Sequence, residues 1–115
     1  MINMKINIKS TNIDLTPELK DYIQQKMDML EKFLGNIDVI NCDVEVGINS
    51  THHLKGKIYK TEAMLEVPGQ LLRIEKNEKD LNKSIDKAKD HLARSIKRYK
   101  QKIIEKSRNN SLKRS

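Results

Sequence analysis

At 115 residues the chain suits one domain with its own hydrophobic core, and its single cysteine excludes an internal disulfide. No apolar run reaches the roughly 18 residues of a membrane-spanning helix, and the N-terminus lacks a signal-peptide core, so we expect a cytosolic protein. The net charge of +7 is typical of proteins that meet nucleic acid or an anionic membrane surface.

The N-terminal part of the chain predicts a strand followed by a helix. Apolar residues alternate with polar ones over residues 4–8, as in a half-buried strand. Thr16 is the expected N-cap of the helix, with Pro17 at its first position. Gly35 is expected to end it with left-handed backbone. The apolar stripe of this helix consists of Leu19, Ile23, Met27, Leu30 and Leu34.

The apolar period then changes to two, which predicts three more strands. The first covers residues 40–48 and includes Cys42 as an inert core thiol. After a polar loop, the second covers residues 59–67 and the third residues 72–75. Pro68-Gly69 between these two predicts a tight turn, with Gly at the position that needs a positive φ.

The last third predicts a long helix over residues 79 to about 106, with apolar residues at every third or fourth position. That stripe consists of Leu81, Ile85, Ala88, Leu92, Ile96, Tyr99 and Ile103. Residues 79–115 carry 13 Lys+Arg against 4 Asp+Glu, whereas residues 1–78 carry 10 against 12. The basic excess therefore lies on this segment. The face opposite the stripe presents Lys79, Lys83, Lys87, Arg94, Lys97 and Arg98.

The predicted order is β-α-β-β-β-α, an α+β fold with a four-stranded mixed sheet. A strand–helix–strand unit favours a right-handed parallel crossover, and the following strands favour antiparallel hairpins. One sheet face is polar, so both helices should cover the other face. We expect residues 1–106 to form the domain and residues 107–115 to form a basic, polar, disordered tail.

The cationic face of the last helix is the candidate binding site. Residues 79–115 hold only 4 acidic residues beside 13 basic ones, whereas a purely structural surface helix would mix both signs. Lys and Arg bind RNA by neutralising phosphates, and shape then supplies specificity. With 3% aromatic residues and no Trp, base stacking is not the expected mode. Lys26 and Lys32 are candidates for a second row, although acidic neighbours make ordinary surface pairing equally consistent.

Nothing in the sequence indicates catalysis. The 4 glycines form no phosphate-binding loop, and the carboxylates are scattered over polar faces. His52-His53 is a candidate metal pair, but the further ligands that a metal needs are missing. We therefore expect no enzyme activity, cofactor, metal or small-molecule substrate.

Several stretches, in order along the chain, resemble one known family. In the first helix they are Thr16-Pro17-Glu18-Leu19 and Met29-Leu30-Glu31-Lys32-Phe33, and before the last strand Glu66-Val67-Pro68-Gly69-Gln70. In the last helix they are Asp80-Leu81, Ile85-Asp86, Leu92, Arg94, Ile96 and Arg98-Tyr99-Lys100. From Met4 to Lys102 the chain resembles the ribosome hibernation-promoting factors, the family that includes ribosome-associated inhibitor A. Asn82 and His91 depart from the family, which commonly has an aromatic residue and a Lys there.

The resemblance implies a fold like that of double-stranded RNA-binding domains. It also implies docking on the small ribosomal subunit and its 16S-type ribosomal RNA near the decoding centre. There the family covers the messenger and transfer RNA sites. In this way the family inhibits translation in stationary phase or stress. It favours RNA contacts by Lys26 and Lys32. Long members carry a further domain that dimerises ribosomes. This chain resembles a short form, or a truncated long one, which leaves open a helper factor for ribosome dimerisation as a partner.

Two alternatives use the same cationic face. A free-standing double-stranded RNA-binding module would bind short duplexes as tightly as ribosomes. An interaction protein would dock the last helix on an acidic partner. A membrane partner is not expected.

Overall fold

The computed structural model describes the backbone of residues 4–49 and 56–113 and the side chains of residues 4–48 and 56–108. In chain order its elements are β1 (Asn7–Thr11), α1 (Pro17–Asp28), α2 (Glu31–Leu34), β2 (Asn41–Asn49), β3 (Ile58–Val67), β4 (Gln70–Glu78) and α3 (Leu81–Lys113). No helix within these residues is both long and apolar enough to cross a bilayer.

The strands form one mixed sheet in the order β1-β2-β3-β4. β1 runs parallel to β2, and the other neighbouring strands are antiparallel. At the turn between β3 and β4, Gly69 has a φ of 81°, which residues with a side chain rarely adopt. The predicted α+β fold is confirmed, including its parallel crossover and its turn at Pro68-Gly69.

The helices cover one face of the sheet and enclose the hydrophobic core there. Cys42 of β2 is fully buried in it, and burial raises the pKa of this thiol to about 12. From α3, Ile85, Leu92 and Ile96 are also fully buried. Each such side chain contributes about 1.5–3 kcal/mol. The stripe therefore fixes the rotation of α3 about its axis and decides which residues the helix exposes.

The predicted first helix is divided into α1 and α2. The break lies at Leu30, whose backbone N–H donates to the Met27 carbonyl, three residues back, at 2.9 Å. On both sides of this tighter turn, Met27, Leu30 and Leu34 all remain buried. The apolar stripe therefore continues across the break.

The last helix is longer than the sequence predicted. It was expected to end near Lys106 and to be followed by a disordered tail over residues 107–115, whereas α3 continues to Lys113. The segment contains neither Gly nor Pro, so no residue in it ends the helix. Residues 101–108 are all exposed. Residues 114–115 lie outside the described part of the chain.

Candidate nucleic-acid interface

The cationic face predicted for the last helix lies on the side of α3 that points away from the sheet. All six members are exposed: Lys79, just before α3, and Lys83, Lys87, Arg94, Lys97 and Arg98 within it. The opposite side of the helix packs on β3 and β4. Because the two faces cannot exchange without rotating the helix, burial of the apolar stripe holds the cationic face outward.

One carboxylate partly neutralises the first half of this face. The Glu78 carboxylate lies 3.1 Å from Lys87 Nζ and 3.9 Å from Lys83 Nζ. Glu78 is the last residue of β4, so these ion pairs connect the strand end to the first turns of α3. Exposed pairs contribute only about 0–1 kcal/mol to stability. They nevertheless reduce the net charge that the two lysines offer to a polyanion.

Three of the predicted cations lie further along α3, in a group that we name the cationic turn: Arg94, Lys97 and Arg98. Among the described residues, none of the three has a carboxylate within ion-pair distance. They lie within about one helical turn of one another on the exposed side. These three residues therefore offer their full charge to a polyanion, whereas the sequence pattern alone does not distinguish them from Lys83 and Lys87.

Phe33 connects α2 to the cationic turn. Lys97 Nζ lies 4.9 Å and Lys32 Nζ 5.1 Å from the centroid of the half-buried Phe33 ring, within the range of cation–π attraction. Lys100 Nζ donates to the main-chain oxygen of Phe33 at 2.9 Å. Two ammonium groups from separate helices are thus held beside one ring. Lys32 therefore lies close to the predicted residues of α3.

Lys26 has a different environment. Its Nζ lies 3.3 Å from Asp86 Oδ1 and 5.4 Å from the centroid of the Tyr22 ring. The Tyr22 hydroxyl donates to the same carboxylate at 2.6 Å. Burial, together with this hydrogen bond, raises the pKa of Tyr22 to about 12. Asp86 thereby links α1 to α3 and neutralises Lys26, as in the surface-pairing alternative.

A second ring, His91, lies near another group of cations. Its Nδ1 is enclosed and has no hydrogen-bond partner among the described residues. Burial lowers the pKa of His91, and the positive charges of Lys76, Arg94 and Arg98 lower it further. Lys76 belongs to β4, and sequence reasoning did not include it in the site. The sequence signal for Lys76 is its position in β4. It follows Ile74 by two residues and Leu72 by four, which places it in the inward-facing register of the strand.

The outer face of the sheet carries a row of acidic residues. Glu45, Glu62 and Glu75 are register partners across β2, β3 and β4. Lys9 is the register partner of Glu45, and Arg73 lies 3.3 Å from Glu62, so the row is only partly compensated. A polyanion is therefore attracted to the helical side of the molecule and repelled by this row.

The described residues offer charge and shape rather than reactive groups. Within residues 4–49 and 56–113, no three His, Cys, Asp or Glu side chains converge to hold a metal ion. The candidate pair His52-His53 lies outside the described residues. Cys42 is enclosed in the core. Among the described carboxylates, Asp86 and Glu78 form ion pairs, and Glu31 Oε1 is enclosed without a hydrogen-bond partner in the described part of the chain. This arrangement is suited to binding a polyanion.

Comparisons with known sequences identify related proteins. Residues 6–104 match the family described as sigma 54 modulation protein / S30EA ribosomal protein. The chain is 31% identical over 105 residues to the ribosome hibernation promotion factor of Bacillus subtilis (strain 168), which covers 91% of this chain and 53% of that protein. The factor of Lactococcus lactis subsp. cremoris (strain MG1363) is 28% identical over 106 residues, with 92% and 55% covered. The chain spans about half the length of the curated relatives it matches.

Solved structures share the fold. The crystal structure of the N-terminal domain of Thermus thermophilus Protein Y has a TM-score of 0.71 and 26% identity, over 85% of this chain and 99% of that one. A ribosomal subunit interface protein from Coxiella burnetii has the same TM-score of 0.71 over the same shares, 85% and 99%. Its 19% identity supports the fold alone.

Proposed function

Because this chain belongs to the family described as sigma 54 modulation protein / S30EA ribosomal protein, we propose that it is a ribosome hibernation factor that binds the small ribosomal subunit. It binds near the decoding centre, covers the messenger and transfer RNA sites, and inhibits translation in the cytoplasm in stationary phase or stress. The observation that carries the proposal is the cationic turn, which is exposed, uncompensated among the described residues, and held outward by a buried stripe.

Binding at this surface needs only electrostatics and shape. The guanidinium groups of Arg94 and Arg98 can each donate two hydrogen bonds to a phosphate, and the Lys97 ammonium acts as a point charge. Each neutralised phosphate releases counterions, so the affinity falls as the salt concentration rises. Phosphate contacts carry little sequence information, and recognition therefore comes from the shape of the ribosomal RNA site.

Inhibition follows from occupancy and not from a reaction, in keeping with a family of non-enzymatic factors. The sheet gives the domain a stiff body, and the core fixes the helices on it. The acidic row on the outer sheet face favours an orientation with the helices towards RNA and the sheet away from it. A domain bound in that orientation prevents messenger and transfer RNA from occupying the sites that it covers.

Sedimentation in sucrose gradients tests this proposal against the two alternatives. We expect the full chain to co-sediment with purified small subunits, to remain bound in an excess of short RNA duplex, and to be released when nuclease digests the ribosomal RNA. Displacement by a stoichiometric amount of duplex would favour a free-standing double-stranded RNA-binding module. Binding that survives nuclease treatment and ribosome depletion would favour an acidic protein partner. Gradients of whole ribosomes separate single from paired particles and test whether a helper factor is needed.

A further inference from the structure

The β4 side of α3 carries a group of cations that extends beyond the predicted site. Lys76 shares the inward register of β4 with buried Ile74, but it is half-buried on the edge strand of the sheet. Its register partner on β3 is Thr61, whose hydroxyl lies 2.6 Å from Ser84 Oγ of α3. Lys76 therefore lies at the junction of β4 and α3, near enough to His91 of α3 for its charge to act on that ring.

Two arginines approach the same region from α3. Arg94 and Arg98 follow His91 by three and seven positions, which places the three side chains on one row of the helix. The charged groups that act on the His91 ring are Lys76 from β4 and these two arginines, all of them positive. The adjacent carboxylate, Asp90, is engaged by Lys89 at 2.6 Å.

The His91 ring can act as a hydrogen-bond donor through Nε2. Its Nδ1 is enclosed without a partner among the described residues, although the residue as a whole is only half-buried. An enclosed N–H without an acceptor is less tolerated than an enclosed lone pair. The proton of the neutral ring therefore resides on Nε2, at the other side of the ring. Burial and the neighbouring cations oppose a second proton in the free protein.

We propose that Lys76 and His91 join Arg94 and Arg98 in a phosphate-binding subsite on the β4 side of α3, and that its ligand is a ribosomal RNA phosphate. The inference rests on the proposed function and deepens it. Cations gathered around one ring repel one another in the free protein. A phosphate relieves this repulsion, and its oxygens accept hydrogen bonds from Nε2–H, the Lys76 ammonium and the guanidinium groups.

This subsite links binding to proton uptake. The pKa of His91 lies below its usual value of 6.5 in the free protein, and a neighbouring phosphate anion raises it in the complex. At pH values between the pKa of His91 in the free protein and its pKa in the complex, the complex binds a proton that the free protein lacks. The affinity for the small subunit therefore rises as the pH falls. One proton changes an affinity by at most about tenfold per pH unit, and we expect an increase of about three- to tenfold from pH 7.5 to pH 6.0.

The test is the affinity of the full chain for purified small subunits at pH 6.0 and pH 7.5. His91→Gln keeps a polar side chain without a titrating proton, so the pH dependence of the affinity should vanish. His91→Lys carries a permanent charge and should bind at pH 7.5 about as tightly as the wild type binds at pH 6.0. Circular dichroism of each variant checks the fold.

Salt dependence tests the contribution of Lys76. Lys76→Gln should weaken binding at both pH values and reduce the slope of log Kd against log salt concentration by about 0.7–1. Lys60→Gln, the matched control on the outer sheet face, should change neither quantity. Equal pH dependence in the wild type and His91→Gln, or a wild-type salt slope in Lys76→Gln, would overturn the subsite. A wild-type chain that does not bind at either pH would instead overturn the proposed function, and the subsite with it.

Discussion

Asp86 links α1 to the helix that carries the cationic turn, and its replacement measures how firmly that helix is held. Asp86→Ala removes the hydrogen bond from the Tyr22 hydroxyl, 2.6 Å long, and the ion pair with Lys26, 3.3 Å long. A hydrogen bond to a charged group contributes about 1.5–3 kcal/mol and an exposed ion pair about 0–1 kcal/mol. Because the Asp86 side chain is 40% exposed, the low ends of both ranges apply. We expect the free energy of unfolding to fall by about 1–2 kcal/mol.

Urea titration followed by far-ultraviolet circular dichroism measures this change. Asp86→Asn retains an acceptor oxygen for Tyr22 and should lose about half as much free energy of unfolding. Asp90→Ala is the matched control, since it removes a carboxylate from the same helix that is 56% exposed and forms an ion pair with the neighbouring Lys89. Its free energy of unfolding should stay within about 0.5 kcal/mol of the wild type.

The ionisation of Tyr22 gives a second readout of the same link. Burial, followed by the Asp86 hydrogen bond, raises the pKa of Tyr22 from 10.0 to about 12. Asp86→Ala removes both the hydrogen bond and the negative charge of Asp86 but leaves the burial, so a tyrosinate absorbance titration should place the pKa of Tyr22 between these values. Because the pKa of Tyr22 is higher in the folded than in the unfolded chain, its protonated hydroxyl stabilises the fold. This stabilisation is complete below about pH 10 and is lost as the pH rises towards 12. Equal unfolding energies for Asp86→Ala and Asp90→Ala, with an unchanged Tyr22 titration, would refute the reasoning.

Three further changes test other parts of the structure. Tyr99→Phe should lower the free energy of unfolding by about 1 kcal/mol, because the buried hydroxyl donates to the Pro68 oxygen at 2.6 Å; an unchanged urea midpoint would contradict this. The pKa of the Cys42 thiol is raised to about 12. At pH 8 this thiol should therefore react with a thiol reagent at least about 100-fold more slowly in the folded than in the unfolded chain. Equal rates would mean that the thiol is accessible. Phe33→Leu should weaken small-subunit binding about two- to fivefold, since each cation–π contact contributes about 0.5–1 kcal/mol; unchanged affinity would remove the ring from the site.

The features that depend on periodic burial could be predicted from the sequence. The spacing of three and four residues from Leu81 to Tyr99, and the alternation in β2 and β3, both arise because one apolar face meets one core. The exposure of the cationic face follows from the same rule. The family resemblance, carried by motifs such as Glu66-Val67-Pro68-Gly69-Gln70, is confirmed by the family match over residues 6–104.

Contacts between elements could not be read from those periods. A helical wheel does not show that Glu78 of β4 neutralises Lys87, because that contact depends on how the strand end meets the helix. The break at Leu30 leaves the apolar stripe continuous, so the spacing of apolar residues does not change there. The spacing alone therefore cannot reveal the break. Lys76 occupies an inward register position that usually holds an apolar residue, and only its place on the edge strand explains it. The RNA contacts themselves remain predictions.

Phosphates bound by the cationic turn are the proposed source of affinity for the small ribosomal subunit. The direct measurement is the Kd for small subunits over a range of salt concentrations, with all three residues of the cationic turn changed to Gln. A control chain carries the same loss of charge on the outer sheet face, at Lys9, Lys60 and Arg73. We predict that the slope of log Kd against log salt falls by about 2–3 in the first chain and stays at the wild-type value in the control. Equal slopes in both chains, or a wild-type affinity that does not respond to salt, would contradict the account.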